Sequence, residues 1–383
     1  MATIFTPAPP PPTRLGRYRA LSPLASVHVS PICLGGMSIG DQWAKFGGGA
    51  MDKASSFALL DAYYAAGGNF IDTANSYQDG TSEAFIGEWM ETRGIRDQMV
   101  VATKYSANSM RGADWQAVPQ KVQYVGNSVK SMTISLEASL KKLRTHYVDI
   151  FYVHFWDWET SIEEIMNGLH NLVASGKVLY LGVSNTPAWV IPKANLYARM
   201  TGKTPFSVYQ GDWSILRRDI EYDILPMLRA EGLALAPYDV LAGGKIRTDE
   251  EEERRRQTGE KGRTVMGPWE RTEAERKISK ALEEVAKQVG AKSIQAVAIA
   301  YVMQKAPYVF PIVGGRKPEH LRANLEALDI TLTDAHYQLL ESVLPFPPLY
   351  PYNMIGRGLE PSHSVRNAAV IDVWPRAPAL RPQ

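Results

Sequence analysis

Eight short apolar runs recur along this chain, and most of the gaps between them carry helical spacing. The runs cover residues 32–37, 69–74, 99–104, 148–154, 178–184, 206–210, 233–238 and 308–314. Most are apolar without a break, the pattern of strands covered on both faces. The intervening segment SFALLDAYYAAGG stops at Gly67-Gly68, a glycine helix end. SIEEIMNGLHNLVASGK opens with Ser161 and Glu164 at capping-box spacing and closes at Gly176. A polar helix, TEAERKISKALEEVAKQVG, precedes an apolar one, IQAVAIAYVMQKAP, and DAHYQLLESVL predicts a helix after the last run.

Alternating strands and helices build either a closed (β/α)8 barrel or an open doubly wound sheet. An open sheet that binds a nucleotide usually carries G-x-G-x-x-G. Here LGGMSIG has the wrong spacing, FGGGAMD lacks the third glycine, and G-x-x-x-x-G-K-[ST] is absent. The reading is an α/β fold, a (β/α)8 TIM barrel over 18–344, interrupted by a polar insertion at 244–270. A Pro-rich arm at 1–17 is expected to be disordered. An aromatic, Pro-rich tail at 345–383 is expected over or near the mouth of the barrel; long excursions of these kinds are flaps, interface elements or disorder.

Forty-two basic residues against forty acidic ones leave a net charge of +2, which gives nucleic acid no footing. The densest charge run, DEEEERRR, places its acids four residues ahead of its bases, as on a solvated helical turn. Cys33 is the only cysteine, so no intrachain disulfide forms, and in its apolar run it reads as a core residue. No apolar stretch nears the roughly 18 residues a membrane span needs, and the start of the chain lacks a basic region before its prolines. A cytoplasmic protein without a membrane partner is expected. The sequence carries no signal of oligomeric state.

Active sites of such barrels lie at the C-terminal strand ends. There the second run gives Asp72, the third Lys104 and the fourth His154. The fifth gives Ser184 and Asn185, the sixth Gln210, the seventh Tyr238, and the eighth runs into Gly314, Gly315 and Arg316. A buried Asp72–Lys104 pair is a poor stability device. It makes chemical sense if Lys104 must stay protonated beside Tyr77, five residues beyond Asp72. A free phenol titrates near ~10, and a neighbouring ammonium lowers that value toward the working range of a general acid. His154 is then placed to orient the same substrate oxygen. Metal-dependent hydrolysis needs converging ligands. The histidines fall at 28, 146, 154, 170, 320, 336 and 363 with no H-x-H or H-x-x-x-H, and no metal site is expected.

The stretches NFIDTANSYQDGTSE, LGVSN and GGRKPEHLRANLEAL, in that order, resemble the aldo-keto reductase family over roughly residues 18 to 344. GGMSIGDQW and FYVHFWDWETSIEEIMNGLHNLVASGKVLYLGVSNTPAWV carry a closer likeness to its fungal aryl-alcohol dehydrogenase and norsolorinate-reductase-like group. The resemblance implies a barrel that uses NADPH without a Rossmann domain, with Asp72, Tyr77, Lys104 and His154 as the catalytic four. It implies that Ser184, Asn185 and Gln210 hold the nicotinamide carboxamide and that Tyr238 stacks on its ring. Leu241 and Gly315 fall among the implied cofactor contacts, and Arg316, His320 and Asn324 on the adenosine-phosphate positions. Arg316 can fork onto a 2′-phosphate, which favours NADP(H); Arg263 is a possible helper. The chain departs from the pattern at Asp239-Val240-Leu241, where relatives often read Ser-Pro-Leu, at Asp249 in place of a lysine, and at Ala323 in place of a glutamate.

The function expected is reversible NADPH-dependent reduction of an aromatic aldehyde, a small-molecule carbonyl, with Tyr77 as proton donor. A ketone or polyketide reductase and a cofactor-bound regulatory subunit share the same four residues and stay open. Aromatic residues follow several strands: Trp43 and Phe46, Tyr105 and Trp115, Trp156 and Trp158, and Trp213. Two or three of them are expected to meet substrate, with Phe346, Tyr350 and Tyr352 of the tail closing over the ring.

Overall fold

The computed structural model describes residues 6–44, 47, 49–260, 264, 267–358 and 360–382; Phe46 and Arg263 lie outside them. An antiparallel hairpin, β1 (Arg19–Ser22) and β2 (Ala25–Val29), comes first. Eight parallel strands follow: β3 (Cys33–Gly35), β4 (Phe70–Asp72), β5 (Val100–Tyr105), β6 (Val148–Val153), β7 (Val178–Ser184), β8 (Phe206–Asp212), β9 (Ala234–Tyr238) and β10 (Ile312–Val313). Their order is β10-β3-β4-β5-β6-β7-β8-β9. The ring closes just ahead of β10, where Leu235 N donates to Tyr308 O at 2.9 Å and Phe310 N donates to Leu235 O at 2.8 Å. Each of the eight apolar runs supplies one barrel strand.

Every residue of β5 and β6 is buried, as two covered faces require. Inward-facing Phe70, Ala102, Ile150, Val208 and Phe310 pack with Leu21, Ala25 and Val29 of the hairpin, so β1 and β2 plug the barrel. The hairpin was not anticipated, because β1 spans only four residues, Arg19 and Ser22 among them, and β2 sets exposed Ser26 and His28 between its apolar residues, so neither presents an apolar run. The helices are α1 (Lys53–Ala65), α2 (Thr81–Arg93), α3 (Val129–Leu143), α4 (Ile162–Ala174), α5 (Val190–Met200), α6 (Ile224–Glu231), α7 (Asp249–Thr258), α8 (Glu273–Val289), α9 (Ile294–Lys305), α10 (Pro318–Leu325) and α11 (Asp334–Ser342), with two single turns in the tail, α12 (Tyr352–Ile355) and α13 (His363–Arg366). At the start of α4, Ser161 caps Glu164 N at 3.1 Å, but the Glu164 carboxylate turns to Val129 N, so the reciprocal half of the box is not made.

The arm expected to be disordered is tied down from Thr13 onward. Thr13 donates to Ala66 O at 2.7 Å, and Leu15 is buried in the main core. The acid–base run also differs from a solvated turn. It forms α7, and Glu252 is buried at 2% exposure. Glu252 accepts from Arg271 at 2.7 Å and Arg276 at 2.8 Å, while Asp249 accepts from Arg271 at 2.6 Å. Arginine hydrogen bonds hold the Glu252 carboxyl down, against the opposing effect of burial, at about 2. The run reads as a solvated turn in isolation because its buried partner, Arg271, arrives from outside the helix.

Candidate active site

Four polar residues meet at the C-terminal ends of β4, β5 and β6. Asp72 and Lys104 are 2% and 0% exposed, and Lys104 Nζ lies 2.5 Å from Asp72 Oδ1. The same ammonium donates to Thr73 O at 2.7 Å and to the Tyr77 hydroxyl at 3.3 Å. Burial works against the Lys104 charge, but Asp72 and then Tyr77 outweigh it and raise its pKa above the ordinary value. Burial pushes the Asp72 carboxyl up against the pull of Lys104. Lys104 therefore stays an ammonium at neutral pH.

Tyr77 sits in the turn after β4, half-buried, with its ring edge-on to the His154 ring at 5.9 Å. His154 directly follows β6 and is buried. Burial and then the Lys104 charge push its pKa well below the usual value, so the imidazole is neutral. Its Nδ1 has no hydrogen-bond partner among the described residues. Phe155, which the sequence reading passed over, stacks on His154 at 4.3 Å; its place directly after a strand-end histidine was the available signal.

Several of the other expected residues join the same cluster. Gln210 in β8 donates to Asp72 Oδ2 at 2.8 Å. Ser184 ends β7, and Asn185 beyond it donates to Ser184 Oγ at 3.1 Å and to His154 O at 3.0 Å. Tyr238 ends β9 and donates its hydroxyl to Asn185 Oδ1 at 2.9 Å. One network thus runs from Tyr238 through Asn185 to the backbone of His154. The others stand off from it. Leu241 is half-buried in the loop after β9, where Asp239 (φ 57°) accepts from Gly243 N at 2.6 Å. That turn gives the Asp239 departure a local role, since aspartate tolerates the left-handed region. Gly315 and the exposed Arg316 follow β10; His320 is exposed on α10 and Asn324 buried there. None of these four shares a side-chain hydrogen bond with the Asp72 cluster among the described residues.

The aromatic residues divide between mouth and core. Trp43 is edge-on to Tyr77 at 6.3 Å. Tyr105 is fully buried and stacked on Phe151, and Trp213 is buried and bonded to Glu221, so these two are packing residues. Trp115 and Trp158 are exposed, and Trp156 packs half-buried against the core. In the tail, Phe346 and Tyr352 stack on Tyr222, beyond β8, at 4.5 and 6.1 Å, while Tyr350 is exposed. No group of three or more His, Cys, Asp or Glu residues able to hold a metal occurs among the described residues. Nor is any described helix long and apolar enough to cross a membrane.

A closed parallel barrel with a phenol set against a buried ammonium at its mouth has the architecture of a barrel oxidoreductase. The chain belongs to the aldo/keto reductase family, whose sequence model matches residues 31–345. It is 64% identical over 382 residues to an aryl-alcohol dehydrogenase [NADP(+)] of Phanerodontia chrysosporium, covering 99% of both chains. A putative aryl-alcohol dehydrogenase of Saccharomyces cerevisiae is 52% identical, over 93% of this chain and 94% of that one. Norsolorinic acid reductase A of Aspergillus parasiticus is 48% identical, over 97% and 92%.

Proposed function

We propose that this chain is an NADP(H)-dependent reductase of aromatic aldehydes that also runs in reverse from the aryl alcohols. The observation that carries the reading is the Tyr77 hydroxyl 3.3 Å from an ammonium that is itself buried against Asp72. The likeness to an NADP(+) aryl-alcohol dehydrogenase along nearly the whole chain supports the substrate class.

The donor set suits the cofactor. Ser184 and Asn185 offer a polar pair beside His154, and Tyr238 offers a half-buried aromatic face. Arg316 and Lys317 are exposed directly ahead of α10, whose N-terminus favours an anion. These residues would hold the carboxamide, the ring and the 2′-phosphate, with Leu241, Gly315, His320 and Asn324 completing the contacts. Thr264 N of the insertion donates to Gly47 O in the loop after β3, which supports placing the insertion on this side of the mouth. When bound, NADPH supplies the hydride.

The protein supplies the proton and the geometry. Tyr77 gives its hydroxyl proton to the carbonyl oxygen as that oxygen gains charge. Lys104 favours the phenolate left behind, because a nearby cation stabilises the charged form. Asp72, itself held by Gln210, keeps Lys104 in place. Neutral His154 shares the mouth with Tyr77 and orients the oxygen.

A ketone or polyketide reductase is the second reading, favoured by the 48% identity to norsolorinic acid reductase A. NADPH oxidation measured across substituted benzaldehydes, straight-chain aldehydes, quinones and aryl ketones tests the choice. Highest kcat/KM for benzaldehydes supports the first reading. Aryl ketones outperforming them supports the second.

A further inference from the structure

The turn behind Tyr77 runs through backbone that side chains rarely adopt. Gln78 (φ 51°) and Asp79 (φ 50°) are consecutive left-handed residues, disfavoured wherever a Cβ is present. Their side chains account for this. Gln78, fully buried, accepts from Trp43 N at 2.8 Å and donates to Met37 O at 2.9 Å and Gly49 O at 2.8 Å. All three partners lie in the loop after β3. Asp79 Oδ1 accepts from Trp43 Nε1 and from Arg111 Nη2, each at 3.2 Å, and Arg111 belongs to the loop after β5. The Arg111 guanidinium covers the Trp43 ring at 4.8 Å.

Two glycines make room for this convergence. A Cβ on Gly40 (φ 115°) would stand 2.6 Å from Gln78 Cβ, and one on Gly112 would stand 2.5 Å from Asp79 Oδ2. Two loops from different strands are thereby drawn onto one pair of residues. The result is an indole fixed on both edges: its backbone held by Gln78, its N–H by Asp79, and its ring edge-on to Tyr77.

We propose that Gln78 and Asp79 are positioning residues that fasten the loops after β3 and β5 into one aromatic wall beside Tyr77, and that this wall sets the preference for aryl over straight-chain aldehydes. The proposal rests on the aldehyde-reductase reading above. A planar substrate gains most from a ring already held in place, because ordering a free side chain on binding costs affinity. A flexible alkyl chain draws less from a fixed face. Gln78 and Asp79 act through Trp43 and not on the reacting atoms.

The test compares Asp79→Gly with Asp79→Asn. Glycine keeps the left-handed backbone and removes both side-chain bonds. Asparagine keeps that backbone and the acceptor for Trp43, and removes only the ion pair to Arg111. Acrylamide quenching of Trp43, one of nine tryptophans, is obtained by subtracting the same measurement on Trp43→Phe backgrounds. Quenching rises in Asp79→Gly and stays near wild type in Asp79→Asn. The ratio of kcat/KM for methoxybenzaldehyde to that for hexanal falls about five- to tenfold in Asp79→Gly, the effect of one hydrogen bond. That fall is carried by KM and mostly restored in Asp79→Asn. Unchanged Trp43 quenching, or equal losses for both aldehydes, overturns the proposal. A wild-type protein inert toward every aldehyde removes the reductase reading instead, and the quenching comparison then decides the role of Asp79 alone.

Discussion

Gln210 reaches from β8 to donate its side-chain amide to Oδ2 of Asp72, at 2.8 Å, on β4. The carboxylate is thereby satisfied on both oxygens, one by an amide and one by the Lys104 ammonium. Gln210→Met keeps the bulk and removes the donor. It leaves a buried carboxylate oxygen short of one bond, and bonds to charged groups are worth roughly 1.5–3 kcal/mol. We expect kcat to fall and thermal stability to drop while NADPH still binds. A variant that loses NADPH affinity with kcat intact would assign Gln210 to the cofactor alone.

Lys104→Met removes the charge next to Tyr77 and strands Asp72. Breaking a buried pair from one side destabilises by roughly 3–5 kcal/mol, so the variant is expected to be less stable as well as inactive. The double variant Asp72→Asn/Lys104→Met should recover part of the stability and none of the turnover. Thermal melts and NADPH oxidation on the same preparations separate the two effects.

Arg316→Ala should weaken NADPH by roughly 1.5–3 kcal/mol, the worth of a charge-assisted hydrogen bond, and barely change NADH. Fluorescence titrations with each cofactor read this directly. Equal losses would mean that Arg316 serves the adenine or the fold.

The Glu252 network makes stability depend on acid pH. The Glu252 carboxyl is held at about 2 against an ordinary 4.5. A depressed carboxyl contributes stability that is full above the unfolded value and is lost as pH falls through the folded one. The loss therefore spans the window from about 4.5 down to about 2. Glu252→Gln should lower stability at neutral pH by roughly 3 kcal/mol by leaving the buried Arg271 under-partnered, and it should flatten that acid limb. Urea melts across the window check both.

Asp72, Lys104 and His154 were legible because each ends an apolar run, and a strand alternating with helices has only one kind of mouth. Tyr77 was legible from its spacing after Asp72. The Gln210–Asp72 bond was not, since it joins residues 138 positions apart across the barrel. Tyr105 and Trp213 were expected near the mouth because they follow strands. Side-chain direction sends them into the core, and sequence order does not encode that direction at a strand end. The hairpin that plugs the barrel was hidden because half-exposed strands dilute the apolar signal. Burial of Glu252 was hidden for another reason: Arg271 and Arg276 lie outside its helix.

The proton donor is the centre of the account, and Tyr77→Phe tests it with one atom removed. Steady-state NADPH oxidation by methoxybenzaldehyde is compared for wild type and variant, alongside NADPH affinity. Loss of a positioned general acid costs about 10²–10⁴-fold in rate, so turnover should fall by that order with NADPH affinity nearly intact. Turnover within a few-fold of wild type would contradict the assignment of Tyr77 as the acid.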